Sequence, residues 1–453
     1  MSSLIQPRTL KGFRDYTPEL MIPRERMLET ARRVYRSYGF APIDTPALEY
    51  AEILLGKGGA ESDRLVYRFR DHGDRDVALR FDLTVPFARF AAEHIGKLGT
   101  PFKRYHMGPV WRGENTAHGR YREFWQCDFD TIGTTSNAAD IETVLVINDL
   151  MTGLGFKNFE IRINNRRVLN GFLALHDLEN KAAAVLRSLD KLSKIGKENV
   201  VLEMKETAGI DLALGLAVVK LVSEKSGPNE RLLVEIRQWL GNIAESKGAE
   251  RNTAVGGVLQ LSELLKVAKQ AGVPEGRIKI DLSISRGLDY YTGTIYETFL
   301  LDKPDIGSVC SGGRYDNLAS VYTKQILPGV GASLGLDRLL AAMEELGMLA
   351  KEVSTPAPVI VFNLATEYLG DYQRVARMLR AEDIGVEVYP EPKKMGQQFQ
   401  YAERRGHKLA IISGPDEFAK NVCNLKILGT DKRIDSIPEA ELAQRIRELL
   451  SAP

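Results

Sequence analysis

Arg120-Tyr-Arg-Glu-Phe-Trp-Gln-Cys-Asp-Phe-Asp130 is the densest row of chemistry-bearing side chains in the sequence. In an extended chain, successive side chains point to opposite faces. Trp125, Cys127 and Phe129 then share one face and suit a core, while Arg120, Arg122, Phe124, Gln126, Asp128 and Asp130 share the other. The polar face carries guanidiniums, an aromatic ring, an amide and carboxylates in one row. Such a row suits a ligand with an anionic end, a flat ring and a cationic or hydrogen-bonding end. A half-exposed strand with ordinary surface charges is the other reading of this segment taken alone.

Further along, Arg112, Arg120, Arg286 and Arg338 each stand near glycines or aromatics. Arginine offers a rigid fork of donors that matches phosphate oxygens and keeps its charge. Brought together, these residues would bind a triphosphate and stabilise charge on a transferring nucleotidyl group; kept apart, each is a surface or salt-bridged arginine. In Arg286-Gly-Leu-Asp-Tyr-Tyr-Thr-Gly293, one of Tyr290 and Tyr291 could present its hydroxyl to a pocket while the other packs behind it, or both could be core residues. Ser311-Gly-Gly-Arg-Tyr-Asp316 offers backbone that approaches a ligand closely, although a Gly-Gly turn is the simpler account. Gly329-Val-Gly-Ala-Ser-Leu-Gly335 is spaced G-x-G-x-x-x-G, which is not the dinucleotide fingerprint, and no G-x-x-x-x-G-K-S/T occurs. The six histidines show no metal-ligand spacing.

The elements that must position these residues are partly legible. Met27, Ala31, Val34, Tyr35 and Tyr38 recur at helical spacing before Gly39. Phe40 to Pro46 holds two prolines and reads as extended. Leu79 to Thr84 alternates like a strand. Residues 103–112 and 121–132 read as two strands joined by a loop, 137–154 as a helix and 160–163 as a strand. From about 171 to 251, helical patterns rich in Leu, Ala, Lys and Glu form an insertion. Strand character returns at 278–284 and 292–300, and a helix begins near Leu336. Lys351 to Pro358, with Pro356 and Pro358, reads as a linker. Beyond it, strands at 359–364, 386–389, 409–413 and 421–428 alternate with helices at 368–384, 397–405 and 438–450, the pattern of a small α/β domain.

Bulk properties exclude several classes. The chain has 453 residues, 44% hydrophobic and 27% charged, as in globular proteins of two or three domains. A net charge of +1 advertises no global field for nucleic acid. Three scattered cysteines argue against a disulfide framework or zinc site and for a reducing compartment. The longest apolar run, Leu212 to Val219, is far short of a membrane span. The cytoplasm is the expected location.

Taken in order, these pieces resemble the histidyl-tRNA synthetases, a family of class II aminoacyl-tRNA synthetases. Phe40 to Tyr50 resembles motif 1, which lies at a dimer interface. Tyr105 to Ile132 resembles motif 2, with Trp111-Arg-Gly-Glu114 and Gly119-Arg-Tyr-Arg-Glu-Phe124, and Gly331 to Arg338 resembles motif 3. Arg286-Gly-Leu-Asp-Tyr-Tyr291 is sharper, since it is similar to the signature of the histidine-specific members, and Ser308 to Leu318 resembles their second signature. The last hundred residues are similar to the class IIa anticodon-binding domain, with Gln398, Phe399, Ala402 and Gly406 matching its pattern.

The resemblance implies an α+β catalytic domain over 1–345, interrupted by the helical insertion 171–251, with a six-stranded antiparallel sheet flanked by helices. A linker over 346–357 and an anticodon-binding α/β domain over 358–453 would follow. It implies a homodimer acting on ATP with Mg²⁺, L-histidine and tRNA(His). By resemblance, Arg112 and Arg286 are catalytic, gripping the α-phosphate and the histidine carboxylate. Asp82 and Thr84 take the α-amino group, and Gln126 helps to place the amino acid. Asp130 and Tyr291 take the ring nitrogens, with Tyr290 lining the pocket. Glu114 and Phe124 hold adenine, while Arg120 and Arg338 hold the outer phosphates. Mg²⁺ is expected on the ATP phosphates rather than on a protein cluster.

One departure stands out. Many bacterial members read Arg-x-Glu-Arg-Pro-Gln-x-Gly-Arg in the motif 2 loop, whereas this chain reads Arg112-Gly-Glu-Asn-Thr-Ala-His-Gly-Arg120. Two rival readings remain: a regulatory paralogue that keeps the catalytic fold, and a class IIa synthetase for glycine, proline or threonine. The first typically lacks the C-terminal domain, which this chain has; the second lacks the Arg286 signature. The region from Thr355 to Pro453 carries 14 basic and 14 acidic residues, so its RNA role rests on resemblance and not on charge.

Overall fold

A computed structural model describes residues 4–56, 65–224, 227–243, 245–285, 291–349 and 354–451. Arg286 and Tyr290 therefore lie outside the described residues. The chain forms two compact units, Met1–Phe13 with Met27–Leu346, and Arg14–Arg26 with Gly347–Pro453.

The first unit contains, in chain order, β1 (Ala41–Pro42), β2 (Leu48–Tyr50), β3 (Arg68–Arg70), β4 (Asp76–Leu79), β5 (Phe102–Trp111), β6 (Glu123–Ile132), β7 (Phe159–Asn165), β8 (Ile278–Ile280), β9 (Thr294–Leu300), β10 (Ser308–Tyr315) and β11 (Gly329–Gly335). Eight of them form one sheet in the order β1-β5-β6-β11-β10-β9-β7-β8, and β2-β4-β3 form a small second sheet. The six middle strands of the large sheet, β5 to β7, pair antiparallel throughout. The expected antiparallel sheet is thus extended by a short parallel strand at each edge, β1 on β5 and β8 on β7. Parallel neighbours need a crossover. Between β7 and β8 the crossover is the whole helical stretch, helices Arg166–Leu175, Ala182–Asp190, Leu192–Ala208, Leu212–Glu224, Asn229–Gly241 and Gly248–Gln270. The helical insertion is thereby hung from the β7–β8 edge of the sheet.

The core face of β6 explains why this strand is fixed. Cys127 and Phe129 are fully buried. Tyr35, on the helix Pro18–Ser37, packs its ring 5.2 Å from that of Phe129 and donates its hydroxyl to the Cys127 carbonyl at 2.9 Å. Side chains on the opposite face of β6 must then point away from this helix.

Three expectations need correction. Arg120 and Arg122 are not part of β6, because Gly119 takes φ +69° and Arg120 donates back to the Ala117 carbonyl at 2.9 Å, a tight turn. The alternation over Leu79–Thr84 does not continue as a strand. β4 stops at Leu79, and Asp82 Oδ1 accepts the Val85 N–H at 3.1 Å at the start of the helix Thr84–Leu98. That carboxylate satisfies a donor the first turn leaves orphaned, and the local cap overrides the strand pattern. Gly312-Gly313 is not a turn but lies inside β10. A Cβ on Gly312 would run into the Gly331 carbonyl oxygen and the Ala332 backbone; one on Gly331 would meet the Phe129 carbonyl and the Asp130 carboxylate. Glycine is required at both by close approach, not by an unusual backbone angle.

The second unit adds β12 (Val359–Val361), β13 (Val386–Val388), β14 (Leu409–Ile411), β15 (Val422–Ile427) and β16 (Arg433–Pro438) in the order β13-β12-β14-β15-β16. The first three are parallel and the last two antiparallel. β16 and the short helix Pro415–Ala419 were not anticipated. Gln398, fully buried, accepts the Asn363 N–H at 2.9 Å and donates to the Asn363 carbonyl at 2.6 Å. It pins a helix to a strand end, so its match to the anticodon-domain pattern reflects packing.

Candidate active site

Two polar cavities open side by side in the catalytic unit, on the face of β6 away from the core. The first, about 250 Å³, is lined by Asp82, Thr84, Arg112, Gln126, Asp130 and Tyr291, among others. The second, about 150 Å³, is lined by Arg112, Glu114, Arg120, Phe124 and Arg338, among others. Arg112, Gln126, Ser311 and Ser333 belong to both walls. Every expected site residue within the described part of the chain therefore lines one of two adjoining hollows.

Local structure explains how each is presented. Asp82 and Thr84 sit on the turn between β4 and the helix Thr84–Leu98. Arg112 follows β5, and its Nε donates to the Phe81 carbonyl at 2.8 Å, which holds the guanidinium against that turn. The same guanidinium lies 5.1 Å from the Phe124 ring centroid, within cation–π range. Gln126 Nε2 donates to Ser333 Oγ at 2.9 Å across β6 and β11. Arg338, in the first turn of the helix Leu336–Glu345, donates to the Ser308 carbonyl. Asp337 beside it accepts the Trp125 N–H at 2.7 Å, tying motif 3 to motif 2. Arg120 is exposed on its turn and reaches the second cavity from the rim.

The first cavity is electrostatically unusual. Asp82, Asp128 and Asp130 are all buried, and burial raises each carboxyl above its ordinary range. Asp128 is pushed up to about 7, with Arg104 and a Ser333 hydrogen bond pulling the other way and Asp130 adding to the rise. Asp130 is held lower by Arg104 and by the Tyr315 hydroxyl, which donates to its Oδ1 at 2.6 Å. Arg104 Nη2 lies 2.6 Å from Asp130 Oδ2 and 3.9 Å from Asp128 Oδ2. Beside them, His106 is pressed down to about 3 by burial and by Arg104 and Arg80, so it stays neutral at physiological pH.

Sequence reasoning missed Arg104, Tyr315 and Ser333. Tyr315 stands in the Ser311–Asp316 segment, one residue past the buried Arg314, and its parity on β10 was the available signal. Arg104 and His106 alternate on β5 and lie directly opposite Asp130 and Asp128 on β6. That register depends on the length of the loop between the strands and is not visible in composition.

Fold and site together define a class II aminoacyl-tRNA synthetase. Known proteins narrow this further. A family model described as histidyl-tRNA synthetase matches residues 12–339, and an anticodon-binding-domain model matches residues 358–449. A histidine–tRNA ligase of Rhodopirellula baltica is 54% identical, covering 99% of both chains. One from Treponema denticola is 45% identical, again over 99% of each. The crystal structure of a histidyl-tRNA synthetase from Nostoc superposes with a TM-score of 0.87 at 34% identity, covering 98% of this chain and 100% of that one. The chain belongs to the histidyl-tRNA synthetase family, and its reaction is the ATP-dependent joining of histidine to tRNA.

The Asp128 carboxyl yields a pH prediction. Between its ordinary value of 3.8 and about 7, the folded protein holds a proton that the unfolded chain releases. Stability contributed at this position is therefore present at low pH and lost as pH rises towards 7. The Asp128→Asn variant, uncharged throughout, should gain stability relative to the parent between pH 5 and pH 8, by at most about 4 kcal/mol. Chemical denaturation of both proteins across that range measures it; a difference that does not change with pH would contradict the buried-acid description.

Proposed function

We propose that the first cavity receives L-histidine and the second receives ATP, and that histidyl-adenylate forms where they join. The observation that carries this reading is the shared wall. A histidine carboxylate in one hollow and an α-phosphate in the other would meet at Arg112. Asp82 and Thr84 then take the α-amino group, and Gln126 steadies the amino acid. Asp130 and Tyr291 bond the two ring nitrogens, and Tyr290, outside the described residues, is assigned to the same pocket by resemblance. Glu114 and Phe124 hold adenine, and Arg120 and Arg338 the β- and γ-phosphates. Among the described residues no group of three His, Cys, Asp or Glu side chains is placed to hold a metal ion. Mg²⁺ would be carried in on the triphosphate, neutralising charge on the leaving pyrophosphate. The domains proposed are 1–345 for catalysis, with the insertion 171–251, then a linker and an anticodon-binding region over 358–453.

The chemistry needs little covalent help. A histidine carboxylate oxygen attacks the α-phosphorus, the bond to pyrophosphate breaks, and pyrophosphate leaves. A hydroxyl of the terminal tRNA ribose then attacks the acyl carbon and displaces AMP. Positioning and charge stabilisation carry the first step, with Arg112 and Arg286 on the α-phosphate. A pocket that bonds both ring nitrogens would leave buried groups unpaired with an apolar rival, a penalty able to discriminate by roughly 10⁴–10⁵. Histidine-dependent ATP–pyrophosphate exchange tests the assignment. Asp130→Asn should raise KM for histidine roughly 10- to 100-fold while KM for ATP moves less than about 2-fold. Phe124→Ala should do the reverse, and equal effects of either variant on both substrates would defeat it.

A homodimer and a cytoplasmic location complete the proposal. On the small sheet, Tyr50 and Phe69 both lie opposite Val77, and Leu48 lies opposite Leu79, so one face is apolar across three strands. Leu48, Tyr50 and Phe69 are 39%, 51% and 48% exposed, a surface suited to a second copy. Light scattering should give a dimer for the parent and a monomer for Tyr50→Asp/Phe69→Asp; a monomeric parent would refute it.

The departed motif 2 loop is proposed to give a non-standard preference at the first base pair or discriminator base of the tRNA, unlike many bacterial members. His118 Nδ1 lies 3.0 Å from Glu345 Oε1, a contact that fixes this loop against the helix Leu336–Glu345. Charging of transcripts varied at the first base pair and discriminator base should show indifference to the usual bacterial determinants. Strict dependence on them would end the idea.

A further inference from the structure

We propose that Arg104 is a positioning residue of the histidine pocket, a single guanidinium that fixes the carboxylate at the ring end and joins it to the turn at the amino end. Arg104 lines neither cavity. It is fully buried on β5, directly opposite Asp130 on β6. Its Nη2 contacts Asp130 Oδ2 at 2.6 Å and also donates to the Leu83 carbonyl at 3.2 Å. Leu83 is the residue between Asp82 and Thr84. The guanidinium carbon sits 4.3 Å over the ring of Phe87, on the helix that begins at Thr84. One nitrogen therefore touches the wall that would bond the imidazole and the turn that would bond the α-amino group.

The physical cost argues that this residue serves more than stability. Burying a guanidinium completely loses its hydration, and an apolar side chain of similar volume is often as stable or better in such a place. Here Arg104 Nε and Nη1 are buried without a hydrogen-bond partner among the described residues. What the guanidinium supplies is order in Asp130. One carboxylate oxygen lies in close ion-pair contact with Arg104, without hydrogen-bond geometry, and the other accepts the Tyr315 hydroxyl, so the group is held from behind by charge on one side and a hydrogen bond on the other. Engaged in this way it stays an acceptor, and an acceptor demands an N–H from the ligand. Charged and titratable groups face it from several elements: Arg104 on β5, Tyr315 on β10, Asp128 on its own strand and Asp82 on the turn, with Arg112 and Tyr291 lining the same hollow. Burial raises the Asp130 carboxyl, and Arg104 is the larger of the two influences that lower it again. Without Arg104, Asp130 would be protonated more readily and could turn.

The inference rests on the reading of Asp130 as a ring partner, and the experiment separates the two. ATP–pyrophosphate exchange is measured on the full chain for Asp130→Asn, Arg104→Met, Arg104→Lys and the double variant Arg104→Met/Asp130→Asn, at pH 7 and pH 9. Arg104→Met should raise KM for histidine roughly tenfold or more, with KM for ATP changed less than about twofold. The defect should shrink at the higher pH, which favours the charged carboxylate. Arg104→Lys should recover part of the loss, and the double variant should be no worse than Asp130→Asn alone. A rise in both KM values, a loss indifferent to pH, or effects that multiply in the double variant would overturn the role of Arg104. An unchanged KM for histidine in Asp130→Asn would overturn the ring assignment itself. Should Arg104→Met fail to fold, Arg104→Lys and the comparison of the double variant with Asp130→Asn decide the matter.

Discussion

The two-sided character of β6 is the constraint on which the catalytic unit depends. Its odd positions, Cys127 and Phe129, are sealed under Tyr35 and cannot leave the core. Its even positions, Gln126, Asp128 and Asp130, are therefore delivered to the opposite face with no freedom of choice. A slip of one residue would bury three polar groups under a helix and expose two apolar ones. Packing thus sets the register, and the register sets which side chains a ligand meets. Chemistry at this site is specified by hydrophobic burial on the far side of the same strand.

That arrangement places charge where water is scarce. Three carboxylates converge near one wall, and burial works against the ionisation of each. They are not equivalent. Asp82 borrows a helix N-terminus, Asp130 has a guanidinium and a phenol, and Asp128 has weaker compensation, so its carboxyl is raised to about 7. The graded environments give the hollow two acids of different character, Asp82 and Asp130, with a third, Asp128, buried beside them.

The parts of the site legible in sequence are those carried by local pattern. Alternation along Arg120–Asp130 separated the core side chains Cys127 and Phe129 from the cavity-lining Phe124, Gln126 and Asp130, although the turn at Gly119 removed Arg120 and Arg122 from the strand. Resemblance to motif and signature segments supplied Asp82, Thr84, Arg112, Glu114, Tyr291 and Arg338, and all of these line the two cavities. Arg104 and Tyr315 stayed hidden because their partner, Asp130, is 26 and 185 positions away, and only sheet register unites them. The segment Leu79–Thr84 failed for the opposite reason: a local carboxylate cap outweighed an alternation that looked sufficient. Gly312-Gly313 was mistaken for a turn since glycine advertises flexibility, whereas its use here is the absence of a side chain between packed strands.

Where Gly312 and Gly331 line the first cavity, its floor is bare main chain. Every substitution at these two positions adds atoms, and none can take atoms away. Those atoms would strike the backbone of the neighbouring strand, so neither position can accept them without disturbing the sheet. A larger hollow would have to be carved from its side-chain walls, Asp130 and Tyr291 among them. The main-chain floor therefore sets the depth of the hollow, and only its side-chain walls are open to variation.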